Sequence, residues 1–261
     1  FEKDNLGERI LNKFGMKAKK RDFREWELFV ERIKKVERPL KIAVVGKYFK
    51  NGDFELTDAY LSVNESIKYA CWQSNRKPEI TDIPSQRYEK NPSSVKELFQ
   101  YDGVVIPGGF GSDGNEGKIE AIRYCREKKI PLLGISLGMR LMVTEFARNV
   151  CGLDRTDIIV EKKRRLGAYP CRLKPKTISA KSYGIDKISE RHRDSYEVNN
   201  DYLEVLESKG MIVAGINDNL VEIVEIKDHP FMVGTQFHHE FKSRPTESHP
   251  LFKQFIKSSM N

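Results

Sequence analysis

From residue 39 to residue 150 the chain alternates short apolar runs with amphipathic stretches. "LKIAVVG" (40–46) is a continuous apolar run closed by glycine, the pattern of a strand buried on both faces. Residues 58–72 place Ala59, Val63, Ile67 and Ala70 on one helical face. The rhythm continues with a strand at "PEITDIP" (78–84), a helix at "SSVKELFQ" (93–100) and a strand in "YDGVVIPGGFG" (101–111). A helix at 116–129, a strand at "IPLLGIS" (130–136) and a helix at 137–150 follow. Strands alternating with helices of this length predict an α/β fold with a doubly wound, mostly parallel sheet.

The ends read differently. Residues 1–38 are polar and helical in pattern, with Trp26, Phe29, Val30, Ile33 and Val36 forming one apolar stripe, as in a connector docked on a main domain at 39–261. Beyond residue 160, "RLGAYPCRLK", "MIVAGIN", "LVEIVEIK" and "FMVGTQF" predict shorter strands, a small antiparallel addition packed on one side. A last amphipathic helix covers 249–258.

Composition narrows the class. With 39% hydrophobic and 32% charged residues the balance is that of a globular chain. No apolar run is long enough to span a bilayer, and the charged start "FEKDNLGERI" has no signal-peptide core, so no membrane partner is expected. Phe1 in place of an initiator methionine reads as a cut from something longer. Cys71, Cys125, Cys151 and Cys171 stand singly, which predicts reduced thiols in a cytoplasmic protein and no metal site. The net charge of +8 is spread over helix faces, apart from "KAKKRDFR" (17–24) and "EKKRR" (161–165). Both runs read as solvated surface, not as a nucleic-acid site.

The candidate chemistry lies where parallel sheets bind ligands, at the carboxyl ends of strands. Gly134, Ile135, Ser136, Leu137 and Gly138 spell G-x-S-x-G at a strand-to-helix junction, the spacing that exposes a nucleophile on a tight elbow. The Leu137 N–H then faces a reacting carbonyl, and the glycines of "PGGFG" are suited to supply a second oxyanion donor. "GTQFHHEF" offers His238 as a base, with Glu240 two residues on and therefore on the same face of an extended segment. Read by themselves, the residues describe a serine triad of Ser136, His238 and Glu240.

A resemblance redirects that reading. "VVGKY", "DAYLSVNESI", "PGGFG", "GNEGKIEAIRYCREKKIPLLGISLGM", "ERHR", "YEVNN", "LVEIVE", "QFHHEFKSRP" and "HPLF" resemble the CTP synthase family, in its class I glutamine amidotransferase domain, from about residue 1 to 258. The opening segment is similar to the linker that joins this domain to a synthetase domain. The resemblance implies a flavodoxin-like fold and an elbow cysteine that releases ammonia from glutamine. The synthetase domain uses that ammonia, with ATP and Mg, to convert UTP to CTP under GTP activation. No cofactor is expected in this chain itself. The expected partners are a synthetase domain, on the same or a partner chain, and further copies of the full protein.

Carried over residue by residue, the resemblance puts the triad at Ser136, His238 and Glu240 and the oxyanion donors at Gly109 and Leu137. It also exposes departures. Ser136 stands where the family has cysteine, and Arg140 where it has glutamine. Val160 falls, without gaps, at a glutamine-binding glutamate, and Ser195 at the arginine that holds the substrate carboxylate. Asp113 and His239 replace an arginine and a proline, changes expected at the rim of the site. Loss of the nucleophile together with three substrate contacts implies a glutaminase that has decayed into a structural or regulatory module. A serine hydrolase using Ser136 and His238 is the competing reading. An engineered cysteine-to-serine trap would leave Arg140, Val160 and Ser195 without explanation.

Overall fold

The computed structural model describes residues 3–17, 22–51, 54–55, 59–153 and 157–260. Two N-terminal helices, α1 (Leu6–Lys13) and α2 (Arg24–Lys35), precede β1 (Pro39–Gly46). A small hairpin, β2 (Lys50–Asn51) and β3 (Phe54–Glu55), leads to α3 (Leu61–Gln73) and β4 (Lys77–Pro84). Then come α4 (Gln86–Lys90), a 3₁₀ helix (Pro92–Gln100), β5 (Gly103–Ile106), α5 (Asn115–Lys128), β6 (Leu132–Ile135) and α6 (Leu137–Asn149). The second half holds β7 (Ile159–Leu173), α7 (Ile178–Tyr183), β8 (Lys187–Val198), α8 (Leu203–Ser208), β9 (Met211–Asn217), β10 (Leu220–Ile226), β11 (Met232–Thr235) and α9 (Pro250–Ser258).

Nine strands form one sheet in the order β4-β1-β5-β6-β11-β10-β9-β7-β8. The five from β4 to β11 run parallel, and their near-continuous burial follows from helices covering both faces. Tyr88, Leu98, Ile122 and Phe146 lie in the core of one face. Ile67, Phe231, Phe252 and Phe255 lie in that of the other. Among the described residues no helix is long and apolar enough to cross a membrane.

Three expectations change. The late strands β7, β8, β9 and β10 are antiparallel as expected and extend the same sheet, but β11, expected among them, pairs parallel with β6. Residues 92–100 coil as a 3₁₀ helix, whose buried residues Val95 and Leu98 are three apart, the repeat of that tighter helix. In the α2 stripe only Phe29 is buried, edge-on to Tyr69 and Trp72 of α3 at 6.5 and 5.8 Å between ring centroids. Ile33 and Val36 are half-buried, while Trp26 and Val30 face outward. Residues 18–21 of the first basic run, and Asp58 at the start of the expected second helix, lie outside the described residues.

The second basic run is not all surface. Between Glu161 and Arg165 the β7–β8 register shifts, because Lys162, Lys163 and Arg164 bulge out opposite Ser195 alone. The bulge turns Arg165 inward to a buried position. There its guanidinium bonds Asp194 Oδ2 at 2.8 Å and Glu222, with Glu197 at 3.7 Å. His192 Nδ1 and Gln236 Nε2 also bond Asp194, at 3.1 and 3.0 Å.

Candidate active site

Four adjacent parallel strands, β1, β5, β6 and β11, deliver four loops to one end of the sheet. Lys47 and Tyr48 follow β1, "PGGFG" follows β5, Ser136 follows β6, and His238 and Glu240 follow β11. Ser136 is both the last residue before α6 and a buried one, with φ 53° and ψ −104°. That backbone is strained for a residue with a Cβ, and such strain gathers at functional sites. It is held in place because Ser136 N donates to Thr235 O at 2.6 Å, tying the elbow to the end of β11. The first bond of α6 runs from Arg140 N to Ser136 O, so the amides before it, Leu137 included, are free of intrahelical partners.

Gly108 lies between the two key side chains. A Cβ there would stand 3.1 Å from His238 Cε1 and 3.7 Å from Ser136 Cβ, so serine and imidazole flank one point of backbone, and a side chain there would crowd the imidazole. His238 Nδ1 is 2.8 Å from Glu240 Oε1, and its ring stacks on Phe241. No hydrogen bond joins the Ser136 and His238 side chains among the described residues. Gly109 packs beside the Leu137 side chain, where a Cβ would stand 3.3 Å from Leu137 Cδ2. Its loop is fastened from below: Lys47 Nζ donates to Phe110 O and Gly111 O at 3.2 and 2.7 Å, and Tyr48 Oη accepts from Phe110 N at 2.6 Å. Burial pushes the Lys47 ammonium pKa down.

These groups open into a cleft of about 810 Å³. Ser136, Leu137, Gly109, His238, Glu240, Arg140 and Ser195 all line it. Arg140, one turn into α6, lays its guanidinium 4.8 Å above the Tyr196 ring, and its Nε is buried without a hydrogen-bond partner. Burial lowers its pKa, opposed by nearby Asp194. Ser195 comes from β8, beside Arg193, whose guanidinium is 5.6 Å from the Phe110 ring.

Three expected positions fall elsewhere. Val160 pairs with Glu197 in β7 and is not in the cleft wall, which Ile158 and Ile159 supply instead. His239 is not at the rim. Because His238 faces the cleft, His239 points the opposite way into the core, bonding Thr235 Oγ1 at 3.0 Å and packing on Phe252. Asp113 is also outside the lining and bonds Gln86 Nε2 at 2.6 Å. Conversely, four residues shape the site without a local sequence signal of their own: Lys47 and Tyr48 just after the Gly46 that ends β1, Tyr196 inside β8, and Phe241 in the turn after His238. Among the described residues no cluster of side chains suits a metal ion.

Comparison with known proteins identifies the family and the fold. A family model described as glutamine amidotransferase class-I matches residues 55–258. A CTP synthase of Symbiobacterium thermophilum is 43% identical over the whole chain, and one of Carboxydothermus hydrogenoformans is 42% identical. The chain spans about half the length of these curated relatives, 52% in each case. Among solved structures, the glutaminase domain of Trypanosoma brucei CTPS with bound acivicin superposes with a TM-score of 0.79 at 29% identity, covering 85% of this chain and 94% of that one. A putative GMP synthase subunit from Thermoplasma acidophilum, at 19% identity and a TM-score of 0.58 over 86% and 96% of the two chains, shares the fold.

Proposed function

The chain belongs to the class I glutamine amidotransferase family, and from that premise we propose that it is the glutaminase-type domain of a CTP synthase-like enzyme that no longer hydrolyses glutamine. The observation that carries this reading is the hydroxyl of Ser136 at the elbow, unbonded to His238. A serine lacks the accessible ionisation and intrinsic nucleophilicity of a thiol. Loss of a nucleophile costs on the order of 10⁶ in turnover in another triad hydrolase. Arg140 and Ser195 support the reading from the substrate side, because they change the charge and hydrogen-bonding of the wall. The scaffold then serves as a structural or regulatory module for a synthetase domain that aminates UTP from free ammonia, with ATP, Mg and GTP acting in that larger enzyme. Assembly into a homo-oligomer of the full protein, and a reducing cytoplasmic setting for four free cysteines, belong to the same proposal.

One feature favours a second reading, a serine hydrolase: the His238–Glu240 hydrogen bond is intact. The deciding experiment is ammonia release from glutamine by the protein and by Ser136→Cys. Background rates in both are expected, since the thiol alone does not restore the wall. Turnover by the unaltered chain would overturn the loss of activity, and turnover by Ser136→Cys comparable to an ordinary glutaminase would overturn the decay of the pocket.

A further inference from the structure

The charges on the cleft wall do not balance. Among the described residues three carboxylates line it, and each has a partner, although Glu240 Oε2 is itself buried without one. Glu240 bonds His238, Glu116 takes both its oxygens to Arg148 at 3.0 Å, and Asp194 is shared by Arg165, His192 and Gln236. Two guanidiniums on the same wall, Arg140 and Arg193, form no ion pair among the described residues and rest only on the faces of Tyr196 and Phe110. Arg140 additionally leaves its buried Nε without an acceptor, although buried polar groups are normally satisfied. The free amides at the start of α6 add positive potential on the same side. The rest of the lining is largely apolar or aromatic: Tyr48, Leu61, Phe110, Ile158, Ile159 and Phe241.

We propose that this cleft is a binding site for an organic oxyanion with a flat apolar body, a carboxylate or phosphate borne on an aromatic or similar group, and not for a zwitterionic amino acid. The ligand's anionic oxygens supply the acceptor that the Arg140 guanidinium lacks, and Arg193 reaches the ligand from β8. The apolar body lies against Phe110 and Tyr196. Among the described lining residues the only carboxylate oxygen left for an α-ammonium group is the buried Glu240 Oε2, against two unpaired guanidiniums, so the described wall favours anions over glutamine-like ligands. The volume, about 810 Å³, is that of sites holding ligands well above amino-acid size. The inference rests on the reading above that the domain no longer processes glutamine, and gives the retained cleft a ligand class.

The test is calorimetric titration of the protein with phenyl phosphate, benzoate, inorganic phosphate, benzamide and glutamine, with ammonia release followed in the glutamine arm. Phenyl phosphate or benzoate is expected to bind, whichever binds more tightly naming the headgroup. Benzamide and glutamine are expected to bind at least tenfold more weakly. Arg140→Gln should lose about 10- to 100-fold in affinity, the worth of charged hydrogen bonds. Arg193→Ala, at an exposed position where folding is not at stake, should lose a smaller factor of about 3–10 by the same logic. Inorganic phosphate binding as tightly as phenyl phosphate would overturn the role of the apolar wall. Failure of both aryl anions to bind, or affinity unchanged in both arginine variants, would overturn the inference while leaving the loss of glutaminase standing. Ammonia release in the glutamine arm would instead remove the reading beneath it.

Discussion

His238 Nδ1 lies 2.8 Å from Glu240 Oε1, and this bond decides which imidazole nitrogen is available for chemistry. With Nδ1–H donated to the carboxylate, the lone pair sits on Nε2, the arrangement a general base requires. The base half of a triad is therefore assembled around a serine that it does not contact by hydrogen bond.

That half-assembly yields the first prediction. A fluorophosphonate probe, which needs a serine deprotonated by its neighbour, should leave Ser136 unlabelled when the intact protein is examined by mass spectrometry. Misplacement by about 1 Å costs roughly 10²-fold even with every group present. Stoichiometric labelling at Ser136 that disappears in His238→Ala would establish the hydrolase instead.

Gly138 is the position where α6 rests most closely on the sheet, with a Cβ there colliding with the carbonyl of Ile106. Since the obstacle is backbone, Gly138→Ala must push the helix off β5. Urea denaturation should show a loss of about 1–3 kcal/mol, the usual cost of overpacking a close-packed interior. An unchanged midpoint would mean that α6 can lift from β5 without cost, and that the elbow does not depend on this contact.

Removing Arg165 should be among the most damaging single changes. Arg165→Met leaves Asp194, Glu197 and Glu222 facing one another without their cation, and an unpaired buried charge costs about 3–5 kcal/mol. Burial already pushes the Glu222 pKa up, so this carboxyl is the first to take a proton in the variant. Adding Glu222→Gln to Arg165→Met is expected to recover part of the loss, and a double-mutant cycle measures how much. Equal damage in the single and double variants would show that the two side chains act independently.

A pH effect follows from His229. Its Nδ1 accepts from Phe231 N at 3.2 Å, so the proton sits on Nε2, which donates to Cys125 O at 3.2 Å. Burial lowers its pKa to about 4, below the 6.5 of a free histidine. A base whose folded pKa is depressed is neutral in the native state while the unfolded chain gains a proton. Stability from this residue is thus present above pH 6.5 and is lost as pH falls from 6.5 to 4. Unfolding free energy measured at pH 7 and pH 4.5 should decrease in the native chain, and decrease less in His229→Gln. Identical slopes would assign the loss to other groups, such as fully buried His239.

The parallel half of the sheet and the elbow were readable because both announce themselves locally. Glycines bound the runs around β1, β5 and β6, and apolar runs mark strands covered on both sides. β8 carries no such mark. Its buried positions are Ile188, Glu190, His192, Asp194, Glu197 and Val198, so four of six buried side chains are polar and the apolar alternation that signals a strand is absent. Those residues are tolerable inside only because distant ones complete them. His249 and Lys242 meet Glu190, and Arg165 and Gln236 meet Asp194. No local window holds both partners. Val160 misled for a related reason: a stretch beside a register shift cannot be placed by counting along the chain. His239 misled because one residue of offset after β11 separates cleft from core.

The cleft has two walls of different origin. The elbow, the glycine loop and His238 follow central parallel strands and share the packing of the sheet's middle, whereas Arg193, Ser195 and Tyr196 belong to the outermost strand of the order. Outward-facing positions on that outer strand have one neighbouring strand, whereas the elbow lies between Ile135 in the core of one face and Leu137 in that of the other. On the reading proposed above, folding alone would hold the backbone of the elbow in place after its chemistry had gone, while the outer wall was freer to change. The backbone geometry of the site and its ligand preference would then answer to different constraints, the first to the core and the second to an edge strand.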